Sequence, residues 1–212
     1  MHEELLSGVA PDPLALARAL LDRQYVSLLW GKNGSLAYLA CDPVEHSHAL
    51  DPEPSLPLGA RSALHAVPRW LGLLPYECRR GLERGGYGSA RVAPHVTQPH
   101  WVRYPAVAEV SADGVRVIGE SVEAVRELAT HLRAPARAAS AVELAAQHPF
   151  EDPELHRVRI RRALEHIRAG DLYQVNLARR FDFRVLGEPW DVLARLAASR
   201  FDATLCHRID YP

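Results

Sequence analysis

Apolar and polar positions along this chain switch between two periods, and the switches outline its elements. Leu14, Ala17, Leu20 and Leu21 follow helical spacing behind Asp12, a capping residue, and Pro13, which a first helical turn tolerates. Two β-rich runs follow, Tyr25 to Trp30 and Ser35 to Ala40. Between them, Asn33-Gly34 supplies the positive φ angles of a tight turn, so the segment predicts a hairpin. A further strand is expected around Ala66 to Leu74, with Pro68 confining its start to an edge or a bulge. A second hairpin is predicted from Ala106 to Val110 and Val115 to Ile118, joined by Ser111-Ala112-Asp113-Gly114. Ser121 then caps a helix whose stripe is Val122, Val125, Leu128, Ala129 and Leu132.

Past residue 150 the pattern sharpens. Pro153 opens a helix with Ile160, Ala163, Leu164 and Ile167 at i, i+3, i+4 and i+7, and Gly170 stands where a left-handed cap is wanted. A long alternating segment comes next. Tyr173, Val175, Leu177, Phe181, Phe183 and Val185 share one face, and Gln174, Asn176, Arg180, Asp182 and Arg184 share the other. That pattern predicts one long strand, with Arg179 as the charged exception on its apolar face. A helix after Glu188-Pro189 and a strand from Ala203 to Ile209 complete the reading. The proline-rich stretch from Asp42 to Leu58 reads as irregular surface loop, and the Ala/Pro/Arg-rich stretch at 136–151 as a linker. The chain therefore divides into an N-terminal domain, 1–135, that linker, and a C-terminal segment, 152–212.

Composition narrows the class without naming a reaction. The 212 residues include 25 basic and 26 acidic side chains, a net charge of −1. That balance argues against a dedicated nucleic-acid binder, which needs a basic excess. Hydrophobic residues at 48% suffice for a core, and no apolar run approaches the roughly 20 residues of a membrane span. Cys41, Cys78 and Cys206 form no C-x-x-C pair and suit a reducing cytoplasm. Lys32 is the one lysine, which reads as coding bias rather than chemistry.

Three constellations invite chemistry and have simpler explanations. Glu45-His46-Ser47-His48 offers a His-x-His pair, but no third ligand lies nearby in sequence, so surface histidines are the simpler reading. Gly85-Gly86-Tyr87-Gly88 lacks the Lys-Ser/Thr of a phosphate loop and reads as a turn. Arg157, Arg159, Arg161 and Arg162 are interleaved with Glu154 and Glu165, the pattern of a solvated helix face. Gln174 and Asn176 are more informative. They put uncharged amides at alternate positions, either facing solvent or binding a ligand.

Residues His166 to Phe181, HIRAGDLYQVNLARRF, resemble the start of the chorismate-binding domain in component I of anthranilate synthase and aminodeoxychorismate synthase. Weaker matches extend the resemblance over nearly the whole chain. Leu28-Leu29-Trp30-Gly31 stands where that family has Leu-Leu-Glu/Asp-Ser, and Asp42-Pro43 matches its Asp/Asn-Pro. Trp70 to Glu77 is similar to its Gly-x-x-Gly-Tyr-Asp segment, with Glu83 at the trailing glutamate. The Tyr-Gln-Val-Asn-Leu form, through Asn176, resembles the aminodeoxychorismate branch; anthranilate synthases carry an aliphatic residue there.

The resemblance implies an α+β fold: a largely antiparallel sheet with flanking helices, followed by the truncated start of a chorismate-binding domain. It implies a parent enzyme that aminates chorismate to aminodeoxychorismate for para-aminobenzoate and folate synthesis, or else makes anthranilate for tryptophan synthesis. Mg2+ would neutralise the substrate carboxylates, and a glutamine amidotransferase subunit would supply ammonia. The family's Gly-Thr-x-x-Arg-Gly and His-Leu-x-Ser segments and its magnesium-holding glutamates do not occur in these 212 residues. No catalytic residue and no metal ligand is therefore assigned within the chain, and the chain alone is expected to be inactive. A tryptophan pocket of the family maps onto Leu29, Gly31, Tyr173, Asp202 and Ala203. Gly31 replaces its serine, and Asp202-Ala203 replaces a Pro-Tyr/Phe pair. A non-catalytic module that binds an amino acid or a partner subunit is the reading from a different class.

Overall fold

Short-range signals of the kinds just described set the helix starts and the two hairpins. A computed structural model describes residues 1–30, 36–54, 67–75, 78, 98–146, 152–178, 183–198 and 205–207. The chain forms two compact units, Met1–Ala138 with Ala197–Pro212, and Ala139–Leu196. The first boundary falls inside the stretch read as a linker, and the last sixteen residues group with the N-terminal unit.

In the first unit, strand β1 (His2–Leu5) precedes helix α1 (Pro13–Ala19). Asp12 Oδ1 accepts hydrogen bonds from the amides of Leu14 and Ala15, at 3.0 and 3.1 Å, which satisfies donors that the helix start leaves unpaired. Strands β2 (Ser27–Trp30) and β3 (Leu36–Ala40) form the first predicted hairpin; its turn at 31–35 lies outside the described residues. Strands β4 (Glu45–Ser47), β5 (Trp70–Leu73) and β6 (His100–Arg103) form a small sheet in the order β4-β6-β5. Strands β7 (Ala106–Ser111) and β8 (Gly114–Gly119) form the second hairpin, and helix α2 (Val122–Arg133) follows with Ser121 as its cap.

The larger sheet runs β1-β8-β7-β3-β2-β11, where β11 is Leu205–His207, and every neighbouring pair is antiparallel. Its register explains its core. Leu28 pairs with Leu39, Leu39 with Ala108 and Ala108 with Val117, so one row of fully buried side chains crosses four strands. Helices α1 and α2 pack against these strands, and Val125, Leu128, Ala129 and Leu132 of the predicted stripe are buried. Residues of opposite parity, Ala40, Val107 and Ile118, join Val67, Leu71, Val102 and Tyr104 of the small-sheet region in a second buried cluster. Leu29, Tyr38 and Tyr25 pack against its edge. Burying each large aliphatic side chain is worth about 1.5–3 kcal/mol, so both faces of the sheet contribute to holding it together.

The second unit holds strand β9 (Glu143–Ala146), helix α3 (Pro153–Ala169), strand β10 (Phe183–Leu186) and helix α4 (Pro189–Ala198), whose last two residues reach into the first unit's span. Asp152 caps α3 through the Glu154 amide, and Gly170 ends it at φ 81 as predicted. Asp191 at the start of α4 is buried and accepts hydrogen bonds from the amide and hydroxyl of Ser140, at 3.0 and 2.8 Å.

The structure corrects several expectations. Among its described residues, the alternating run from 173 to 185 is a strand only in β10. Residues 172–178 are irregular and exposed, and 179–182 lie outside the described residues. Alternation marks a side-chain preference, whereas a strand needs a partner backbone, and β10 pairs with β9. That pairing also turns the end of the supposed linker into a strand. Glu45–Ser47, read as loop, pairs with β6, and the N-terminal β1 pairs with β8. The apolar stripe of α3 buries Ala163 alone; Ile160, Leu164 and Ile167 are exposed. Among the described residues no helix is long and apolar enough to cross a membrane.

Candidate functional site

Strand β2 is the one element that carries a predicted site residue in a described, packed setting, and two unusual backbone positions lead into it. Tyr25 and Asp42 adopt left-handed conformations, φ 48 and 53, which side-chain-bearing residues rarely adopt. They sit on facing segments tied together. The Asp42 amide donates to the Gln24 carbonyl (2.9 Å), and the Gln24 amide donates to Asp42 Oδ1 (3.2 Å). Arg23 Nε donates to Asp42 Oδ2 at 2.7 Å. Burial opposes ionisation of Asp42, but hydrogen bonds from Arg23, Cys41 and the Gln24 amide together hold its pKa below the usual value. Burial, reinforced by Asp42, pushes the Cys41 thiol far up, so this cysteine is protonated and unreactive.

A buried polar chain fixes the start of β2. The Tyr104 hydroxyl donates to the Tyr25 carbonyl at 2.5 Å, and its one proton is thereby used. Ser27, fully buried, must then be the donor in the 2.6 Å contact between Ser27 Oγ and Tyr104 Oη. Burial raises the Tyr104 pKa strongly and keeps the phenol neutral. Each of these groups is satisfied within the chain, and the network orders the start of β2. Beside it, Cys41, Asp42, Pro105, Ala106, Ala124, Glu127, Leu128 and His131 line a cavity of about 30 Å³. It has room for a water molecule and is far below the few hundred Å³ that an organic ligand occupies.

Leu29 lies in β2, opposite Tyr38 on one side and Leu205 of β11 on the other, and packs against the second core cluster. Gly31, Asp202 and Ala203 lie outside the described residues. Tyr173 belongs to the second unit and is 97% exposed. The β2–β11 pairing therefore sets the chain just after Asp202-Ala203 beside Leu29, a link that no local sequence signal announces. Sequence reasoning also missed a histidine. His100 of β6 has its ring centre 6.1 Å from that of His46 and 5.7 Å from that of His48, because β4 pairs with β6. Among the described residues no group of three or more His, Cys, Asp or Glu side chains is arranged to hold a metal ion. These residues do not fit a magnesium site.

The family model of chorismate binding enzymes matches residues 22–206. The chain belongs to the chorismate-binding enzyme family. Comparison with curated proteins finds no match.

Proposed function

We propose that this chain is the N-terminal part of an aminodeoxychorismate synthase component I, which replaces the hydroxyl of chorismate with an amino group. Family membership supports a chorismate-utilising enzyme. The observation that carries the finer reading is Tyr173-Gln174-Val175-Asn176-Leu177, placed directly after α3 and its Gly170 cap, with asparagine at 176. A glutamine amidotransferase subunit is the proposed ammonia donor, and Mg2+ the proposed counter-ion of the substrate carboxylates.

Chorismate, ammonia and Mg2+ test the proposal with two proteins: the 212-residue chain, and the same chain extended by whatever its reading frame encodes downstream. The extended protein is expected to form aminodeoxychorismate and the 212 residues alone to show no turnover. Anthranilate as product would move the assignment to the tryptophan branch, and robust turnover by the short chain would overturn the placement of the chemistry elsewhere.

A second reading concerns β2. The pairing of Leu205 with Leu29 supports a regulatory amino-acid site beside Leu29. Equilibrium dialysis with labelled tryptophan tests it: binding is expected, and Leu29→Arg is expected to weaken it at least about tenfold by placing a charged side chain in that site.

A further inference from the structure

His131 of α2 has a side chain 27% exposed, yet its Nε2 is buried and makes no hydrogen bond among the described residues. Glu127 Oε1, one helical turn back, lies 4.0 Å away, too far for a hydrogen bond. Both side chains line the cleft of about 30 Å³ between α2 and the residues that follow β3, and Cys41 and Asp42 line it from the other side. A buried polar nitrogen without a partner is costly, so the cleft is where a partner belongs.

We propose that this cleft binds one ordered water, which accepts a hydrogen bond from His131 Nε2 and donates to the carboxylates of Glu127 and Asp42. The size fits, since a water needs at least about 10–15 Å³. The gap fits, since a polar separation beyond about 3.5 Å is the kind that a water bridges. The acceptors fit as well. A carboxylate takes about four hydrogen bonds, and Asp42 has three donors in Arg23 Nε, the Gln24 amide and the Cys41 thiol. Arg23, 2.7 Å from Asp42 and 3.7 Å from Glu127, supplies positive charge to both carboxylates, which favours neutral water over a cation. Ala106, Ala124 and Leu128 add apolar side chains to the lining, so the polar groups alone orient the water.

With both protons of the water given to carboxylates, His131 carries its own proton on Nε2. The bridge also has a place in the fold. Asp42 already ties to Arg23 and Gln24, next to the left-handed Tyr25 that leads into β2. Through the water, α2 joins that tie, and the helix and the entry to the strand share one polar joint.

NMR on the full chain with 15N-labelled histidine at pH 7.5 tests the bridge. The His131 Nε2–H is expected as a resolved resonance, because its hydrogen bond slows exchange with solvent. It is also expected to show a cross-relaxation peak to water with the sign of a bound molecule. Glu127→Ala removes one acceptor on an exposed side chain and is expected to speed exchange of that proton about three- to tenfold. Ala124→Leu fills the cleft and is expected to abolish the water peak. If Ala124→Leu fails to fold, Glu127→Ala decides alone. Absence of the Nε2–H resonance, a water peak with the sign of free solvent, or an exchange rate unchanged in Glu127→Ala overturns the proposal.

Discussion

Tyr104 shows how one side chain can govern a neighbouring strand. Its hydroxyl receives a proton from buried Ser27 and gives its own to the Tyr25 carbonyl, so three polar groups are satisfied by one oxygen. Tyr104→Phe keeps the ring in the core but leaves Ser27 without its acceptor and the Tyr25 carbonyl without its donor. Losing partners for buried polar groups costs about 1–3 kcal/mol, and urea unfolding is expected to show a destabilisation of that size. A change below about 0.5 kcal/mol would mean that the two groups find other partners. Asp42 acts in the same place through charge, and its Asp-Pro signature was visible in the sequence. The Ser27–Tyr104 pair was not, because the two are 77 positions apart and nothing local distinguishes a serine that will be buried.

At the level of elements, capping and turn residues were the most legible signals. Asp12, Ser121 and Gly170 each bound a helix at the expected end, because a cap satisfies backbone groups within a few residues of itself. Pairing partners were less legible. Gly72 illustrates why: a Cβ there would lie 2.8 Å from Trp101 Cα and closer still to the His100 carbonyl oxygen, so β5 can approach β6 only without a side chain. Gly72→Ala is expected to separate these strands and cost more than about 2 kcal/mol by thermal or urea unfolding, whereas an unchanged midpoint would count against the close approach. The run from 172 to 178 is the opposite case, a β-forming sequence whose backbone stays irregular and exposed. Its amides are expected to exchange within seconds to minutes in the monomer, with β7 and β8 protected far longer; strong protection across 172–178 would contradict the described conformation.

Over the whole molecule, the two units differ in how completely they bury their apolar faces. The first covers both faces of its six-stranded sheet. The second leaves Leu155, Val158, Ile160, Leu164 and Ile167 of α3 exposed, together with Phe183 and Val185 of β10. A run of exposed aliphatic side chains of that extent favours association, and sedimentation is expected to show mass rising with concentration; a strict monomer across the accessible range would argue otherwise. By itself the sequence determined the helix ends, the two hairpins, the α+β class and, through one motif after α3, the chorismate-binding family. These rest on interactions spanning a few residues, or on a pattern shared with relatives. Only the tertiary structure decided that β11 returns to Leu29, that β4 brings His46 and His48 to His100, and that, among the described residues of the alternating run after Gly170, those of β10 find a partner in β9. Such outcomes depend on which distant backbone supplies the missing hydrogen bonds, and a strand's own residues do not carry that information.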